Sequence, residues 1–501
     1  MIAGRLTQRQ RGDFQTPESL ATKIWGTINV SQYDVIVEPT FGQGSFLTTL
    51  PAGTRAQVVG WEIDPDYFRQ TMTRLETHPQ FGLMNLGLGD VFRVNRRDLF
   101  LDNNASVLVI GNPPWVTNSE QSTLGGQNTG TKRNLKSLTG LAAKTGKANF
   151  DISEAIILHL VDILKNAQNA QFALLGKFTV IRNLIQFLRS DPRVGEFEFH
   201  RINALKDFGA SVDAGLIKFR VGHNVKRGEL CKVFDDVGGN LQSTVGIVDG
   251  RFVYDLRSYS TNGFLERNER ATYVWRQGIK HDLRDILELR EMNGLLINRL
   301  GEKVEIENAA LYNYYKSSDI FHGRRPRYVI PIYQYDLKDT LEDLPVRYPL
   351  LYSYLERHKD AFSNRKSSIY RNKNPFVVFG IGEYTHAPFK IAVAGFYSEP
   401  VFRLLTPDVY PSTVDDTSYA ISVTNYLEAN YIHAILNLDC VKEFLCSISY
   451  PGDKRRFSKD VLDRVFIPAF ADVPDTVLDR LSDQRVLTDW LISYPREKGL
   501  F

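Results

Sequence analysis

The sequence predicts an α/β protein: a doubly wound, mostly parallel sheet followed by a C-terminal region of mixed α+β structure. Three observations predict it. Between about residues 34 and 220, short apolar runs alternate with helical patterns, the signature of βαβ units. Glycine-rich, acidic and Asn-Pro motifs fall at the ends of the candidate strands, where ligands bind in open α/β sheets. From about residue 225 the alternation stops, and short mixed elements with recurring basic clusters replace it.

The candidate strands are DVIVEPT (34–40), QVVGWEID (57–64), SVLVIGNPP (106–114), QFALLGKF (171–178) and AGLIKFRV (214–221). Helical patterns cover 17–28, 65–76, 151–167 and 179–189. Residues 121–149 interrupt the series. They are rich in Gly, Ser, Thr and Asn, and they carry Lys132, Arg133, Lys136, Lys144 and Lys147 with no acid. That composition predicts a long, mobile basic loop inserted just after the candidate active site, with these five cations as candidate DNA contacts. The expected division is 1–225 and 226–501.

Composition narrows the function classes. The 501 residues are 43% hydrophobic and 24% charged, an ordinary globular balance that needs no staples. A net charge of +3 announces no polyanion partner, so basic residues matter only where they cluster. The three cysteines, Cys231, Cys440 and Cys446, show no CxxC spacing, which argues against structural zinc and fits a reducing cytoplasm. The sequence has no signal-peptide pattern and no apolar run long enough for a membrane span, so no membrane partner and no metal are expected.

The strongest motif is Gly111-Asn112-Pro113-Pro114-Trp115, directly after the strand SVLVI. An exocyclic amino nitrogen on a nucleobase is a poor nucleophile because its lone pair is delocalised into the ring. Two acceptors aimed at its hydrogens favour a pyramidal nitrogen with the lone pair freed. The Asn112 side-chain carbonyl and the Pro113 backbone carbonyl can supply them, and the prolines hold the backbone rigid. Trp115 then offers a flat surface for a base turned out of a duplex. The plain alternative is a Pro-Pro strand terminator beside a buried Trp.

Four further segments precede it in order. Phe14-Gln15-Thr16-Pro17 opens the first helix, with Thr16 suited to cap it and Pro17 to its first turn. Glu38-Pro39-Thr40-Phe41-Gly42-Gln43-Gly44 follows the strand DVIV; glycines in such a turn let a ligand approach the backbone closely. Glu62 and Ile63 end the next strand, where an acid can accept two ribose hydroxyls, although Asp64 before Pro65 reads better as a helix cap. Gly89-Asp90-Val91-Phe92 offers an acceptor beside an aromatic ring, or a simple turn.

FQTP, EPTFGQGSF, WEID, GDVF and GNPPW, in that order, resemble the amino-methyltransferases of DNA in their gamma arrangement. The pattern is that of the TaqI-like adenine methyltransferases of restriction–modification systems. The resemblance covers residues 12–220. It implies a Rossmann-like class I methyltransferase domain, S-adenosyl-L-methionine as cofactor, and double-stranded DNA as substrate. It implies cofactor roles for Phe14, Thr16, Pro17, Glu38, Pro39, Gly42, Gly44, Glu62, Ile63, Asp90, Phe92 and Asn112. It implies catalysis by Asn112, Pro113, Pro114 and Trp115. Phe208, in FGASV, stands where the family places a second aromatic against the flipped base; the alternative is a core Phe. Two departures stand out: Trp115 replaces the usual Tyr or Phe, and Thr40-Phe41 replaces Ala-Cys or Ala-Gly.

The C-terminal region also resembles the family's target-recognition domain, in KSSDI (316–320), RKSSIY (365–370), FGIGEYTHAPFK (379–390), DDTSYAI (415–421) and YIHAILN (431–437). Candidate DNA contacts there are Lys316, Arg324, Arg325, Arg365, Lys366, Tyr370, Arg371, Lys390, Lys454, Arg455 and Arg456. A single charge run is more often a solvated face.

Several other functions compete. Cytosine amino-methyltransferases share the chemistry but tend to carry Ser at the Asn112 position. RNA and protein-glutamine methyltransferases of this kind are compact and need no long basic C-terminal region. Carbon-5 methylation needs a Cys after Pro, which LCK, DCV and LCS do not provide. Intact Asn112, Glu38 and Asp90 argue against a silent DNA-binding subunit. No P-loop is present, and no nuclease is expected within the chain. A separate restriction endonuclease or defence-system subunits are candidate partners.

Overall fold

The computed structural model describes residues 14–99, 105–115, 151–223, 225–267 and 271–497. The basic stretch with Lys132, Arg133, Lys136, Lys144 and Lys147 lies outside them. The chain divides into two compact units, Met1–Leu256 and Arg257–Phe501.

The first unit is built on a ten-stranded sheet. Its strands are β1 (Val35–Glu38), β2 (Gln57–Glu62), β3 (Met84–Leu88), β4 (Ser106–Gly111), β5 (Asn169–Lys177), β6 (Val194–Arg201), β7 (Ala214–Gly222), β8 (Leu230–Phe234), β9 (Leu241–Val248) and β10 (Arg251–Val253). Their spatial order is β10-β9-β8-β6-β7-β5-β4-β1-β2-β3. β1 pairs in parallel with β2 and β4, β2 with β3, and β4 with β5. β7 enters antiparallel between β5 and β6. This is the predicted doubly wound α/β sheet. β1 and β4 carry the continuous apolar runs VIV (35–37) and VLVI (107–110), all buried, as strands covered on both faces must be.

The helices follow the same logic. α1 (Glu18–Trp25), α2 (Ser45–Thr48), α3 (Pro65–Leu75), α4 (Ile152–Leu164), α5 (Phe178–Leu188) and α6 (Ala204–Phe208) connect or flank the strands. Asp64 caps α3, accepting from the Asp66 and Tyr67 amides with Pro65 in the first turn. Thr16 does not cap α1. Pro17 is the cap residue, so Thr16 lies one residue too early; its carbonyl instead accepts from Ser45 Oγ at 2.6 Å.

The sequence placed its division at 225/226. The three strands that follow join the first sheet: β8 pairs in parallel with β6, and β9 and β10 add antiparallel outside it. The compact units accordingly divide at 256/257.

The second unit is mixed α+β. A four-stranded antiparallel sheet holds Phe389–Ala394 between Ser418–Val423 and Phe402–Leu405. Two three-stranded sheets accompany it, one with Leu311–Tyr315 between an antiparallel and a parallel neighbour. Helices Tyr426–Leu436, Asp439–Ile448 and Gln484–Glu497 carry much of its C-terminal part. No helix among the described residues is long and apolar enough to cross a membrane.

The reversed strand β7 is held by aromatic stacking across three strands. Phe172 on β5 faces Phe219 on β7, ring centroids 4.5 Å apart, and Phe197 on β6 stacks on Phe219 at 5.4 Å. All three rings are buried. Phe172→Ala is expected to cost about 3–5 kcal/mol through the lost burial and the cavity left behind. A urea titration followed by circular dichroism should show the transition at lower denaturant, and an unchanged midpoint would contradict this.

Candidate active site

The strand order reverses between β1 and β4, which opens a crevice beyond their carboxyl ends. Glu38 is the last residue of β1 and Gly111 the last of β4. The two ends touch: a Cβ at Gly111 would lie 3.3 Å from Glu38 Cγ, and Gly111 has φ 146°, which favours glycine. The strongest sequence motif and the glycine turn are thereby brought to one place.

The turn after β1 is tightly braced. Gly42 and Gly44 both adopt left-handed φ, 53° and 74°. A Cβ on Gly44 would come within 2.5 Å of Thr71 Cγ2, so only glycine fits there. Thr71 Oγ1 donates to Gly42 O at 2.8 Å, the Gln43 amide donates to Gln15 Oε1 at 2.8 Å, and Arg74 donates to Gln43 O at 2.5 Å. Gln15, Ser45, Thr71 and Arg74 are bracing residues the sequence did not reveal. Gln15 lies inside the quoted FQTP motif. Thr71 and Arg74 lie on a helix whose packing against this turn only the fold creates.

Acceptors dominate the crevice. Glu38 is 2% exposed, and its Oε2 has no hydrogen-bond partner among the described residues. Burial, and then the neighbouring Glu62 carboxylate, push its pKa well above the ordinary carboxyl range. Glu62 is also buried, and burial raises its pKa, partly offset by backbone donors. Its two oxygens accept from the Gly42 amide at 2.8 Å and the Asp64 amide at 2.7 Å. Each carboxylate oxygen retains a further lone pair for a ligand hydroxyl. Ile63, beside it, is 58% exposed, an apolar platform with an open face. Asp90 accepts from the Phe92 amide at 3.0 Å through one oxygen, and Phe92 lies 5.7 Å from the His159 ring.

Asn112 is the second orphan. Its Nδ2 donates to Phe14 O at 2.6 Å, and its Oδ1 is buried with no partner among the described residues. The Phe14 carbonyl thus orients the amide, because only the NH2 side can face it.

Trp115 differs from the expectation of an open stacking face. It is 3% exposed, with its ring centroid 5.4 Å from Phe14 and 5.1 Å from Phe208. Phe14 and Phe208 also meet, at 6.1 Å. The physical reason is local: three rings from separate segments cover one another. Phe208 is the last residue of α6 and is half-buried, so the structure joins it to Trp115.

In the second unit, the candidate DNA contacts fall into two groups. Arg324, Arg325, Lys366, Arg371 and Lys454 are exposed. The others face inward. Arg365 donates to four backbone carbonyls, those of Phe362, His281, Val377 and Pro375, and stacks on Tyr370 at 3.5 Å. Tyr370 is buried and donates to Lys280 O at 3.1 Å. Lys390 is 3% exposed, bonded to Ala387 O at 2.6 Å, and burial alone lowers its pKa to about 8. Lys316 pairs with the buried Glu288. Arg456 donates to Ser449 Oγ and to the carbonyls of Ser398 and Cys446. Arg455 is half-buried, 5.0 Å above the Phe396 ring. The polar atoms of Lys316, Arg365, Tyr370, Lys390 and Arg456, expected at DNA, are thus engaged by partners within the fold.

The two buried orphan acceptors, the glycine cradle and the strand-end acid fit a cationic, ribose-bearing cofactor. Comparison with known proteins agrees. No family model matches the chain. It is 32% identical over 481 residues to the type II methyltransferase M.NspV of Nostoc sp. (strain ATCC 29411 / PCC 7524), covering 93% of this chain and 98% of that protein. Its fold is similar to that of the type IIL restriction–modification enzyme MmeI, solved in complex with DNA, at a TM-score of 0.50 and 11% identity, covering 97% of this chain and 68% of that one. The architecture is the class I methyltransferase fold, and the cofactor is S-adenosylmethionine. The chain belongs to the type II methyltransferases.

Proposed function

We propose that the chain is the modification enzyme of a restriction–modification system, a TaqI-like gamma-class methyltransferase acting on the N6 amino group of adenine in double-stranded DNA. The observation that carries this reading is Asn112 Oδ1: a buried acceptor without a partner among the described residues, oriented by the Phe14 carbonyl, at the end of β4, whose last residue Gly111 lies against Glu38. A buried acceptor left empty costs about 1–3 kcal/mol, so its retention points to a donor that arrives with the substrate. An adenine amino group supplies that donor, with Pro113 O as second acceptor. M.NspV is a type II methyltransferase and MmeI was solved with DNA, which supports DNA as substrate.

S-adenosylmethionine supplies an electrophilic methyl on a sulfonium. In this reading the chain's own residues bind and orient. Glu38 holds the cationic amino-acid end, Glu62 accepts the ribose hydroxyls, and Ile63, Asp90 and Phe92 hold the adenine. The Phe14, Trp115 and Phe208 rings occupy the space a flipped base takes, and Phe208 yields its place against the indole. The exposed Arg324, Arg325, Lys366, Arg371 and Lys454 contact phosphates.

Transfer of a radiolabelled methyl to plasmid DNA, followed by nucleoside chromatography, tests the reading. N6-methyladenine is expected; label in N4-methylcytosine overturns the adenine assignment, and no label in DNA overturns the function. Asn112→Ala should lower kcat by about 10²-fold or more while cofactor affinity stays within a few-fold. Near-normal turnover would remove Asn112 from the chemistry.

Glu38 links function to stability. Its folded pKa is raised, so it destabilises the unliganded protein increasingly as pH rises from the ordinary carboxyl range toward that folded value. Glu38→Gln should raise the melting temperature of the unliganded protein at neutral pH and weaken cofactor binding by about tenfold or more. A lower melting temperature would show that the carboxylate is satisfied as it stands.

Arg365 and Lys366 separate structure from recognition. Arg365→Ala strands four carbonyls and should destabilise the second unit by about 3 kcal/mol. Lys366→Ala should leave stability unchanged, weaken DNA binding, and reduce the salt slope by about one. Calorimetry and fluorescence anisotropy at several salt concentrations would reveal the reverse pattern if it held.

A further inference from the structure

β5 outruns β4. Gly111, the last residue of β4, pairs with Leu174, and β5 continues to Lys177 alongside the segment Asn112–Trp115. Lys177 Nζ donates to the Trp115 carbonyl at 3.2 Å and to Asp151 Oδ2 at 3.0 Å. Its side chain is 22% exposed and that of Asp151 only 8%. Asp151 is itself held: its Oδ1 caps α4, accepting from the Ser153 amide at 3.1 Å and Ser153 Oγ at 2.7 Å. One ammonium therefore joins the end of the Asn-Pro-Pro-Trp segment to the start of α4.

None of the cofactor or base-binding roles above uses this lysine. Asn112 is restrained from one side by the Phe14 carbonyl. The prolines stiffen the segment but donate nothing, since neither has an N–H. Without a second anchor, the segment could pivot about Gly111, whose φ of 146° marks the joint. The Trp115 carbonyl is the point where Lys177 stops that pivot. The pair is mostly shielded from solvent, where a charge-assisted contact is stronger than at an exposed surface.

We propose that Lys177 is a positioning residue for methyl transfer: its ammonium pins the Trp115 carbonyl to Asp151 and so holds the Asn112 and Pro113 acceptors in register. This rests on the reading under Proposed function. Misplacement of a reacting group by about 1 Å can cost about 10²-fold in rate, which sets the scale of the effect.

The test uses the full chain with Lys177→Met, Lys177→Arg, Asp151→Asn and the Met/Asn double variant. Lys177→Met should lower kcat by about 30-fold. The KM for DNA and the Kd for S-adenosylhomocysteine should stay within about threefold of wild type, a split that general destabilisation does not produce. Lys177→Arg should recover most of the loss, and the double variant should be no worse than Lys177→Met, because both changes break one link. Hydrogen exchange read by mass spectrometry should show the peptide ending at Trp115 exchanging about tenfold faster in Lys177→Met. A kcat within threefold of wild type, additive losses in the double variant, or unchanged exchange overturns the inference. If the wild type labels no DNA, the proposed function fails, and the exchange measurement still decides whether Lys177 anchors the segment.

Discussion

The site depends on the meeting of two strand ends in the crevice where the sheet order reverses. β1 and β4 lie side by side and deliver Glu38 and Asn112 to the same spot, with Gly111 bare so that the two can approach. Each residue keeps a buried oxygen with no partner among the described residues. Folding normally eliminates such atoms, because an unsatisfied buried acceptor loses its water and gains nothing. Two of them at one strand junction are what the proposed function assigns to ligand donors.

The surrounding hydrogen bonds work in the opposite direction, toward rigidity. Gln15, Ser45, Thr71 and Arg74 brace the turn after β1 through backbone groups. Phe14 selects the orientation of the Asn112 amide, and Lys177 secures the far end of its segment. Preorganised acceptors act without reorganisation when charge moves, which makes a stiff frame around empty oxygens useful in catalysis. The rings of Phe14, Trp115 and Phe208 meet one another edge-on or tilted, while the carbonyls of Phe14 and Trp115 are bonded to this frame.

In the second unit, cations serve two purposes that look alike in one dimension. Arg365 and Lys366 are adjacent, yet one spends its guanidinium on four carbonyls and the other faces solvent. Lys390 lies in an inner strand of a four-stranded sheet and is buried there. Arginine tolerates such burial because its planar fork satisfies several acceptors at once.

The sequence by itself determined the fold class of the first unit and the order of its motifs. The central strands are apolar runs that announce themselves, and the turn, acid and Asn-Pro segments lie at their ends in a readable series. It also located the Asp64 cap, because capping is a contact between near neighbours. Tertiary structure decided the rest. β3 (MNLGL) sets a glycine and an asparagine among its apolar residues, and β6 (VGEFEFHR) sets its phenylalanines among charged residues; both become strands through distant partners. β8 to β10 belong to the first sheet only because β8 pairs with β6 across intervening chain. The covered indole of Trp115, the bracing of Gly42 by Thr71 and the inward turn of Arg365 are contacts between residues far apart in sequence. Local pattern encodes period and capping, while burial and pairing are properties of the folded whole.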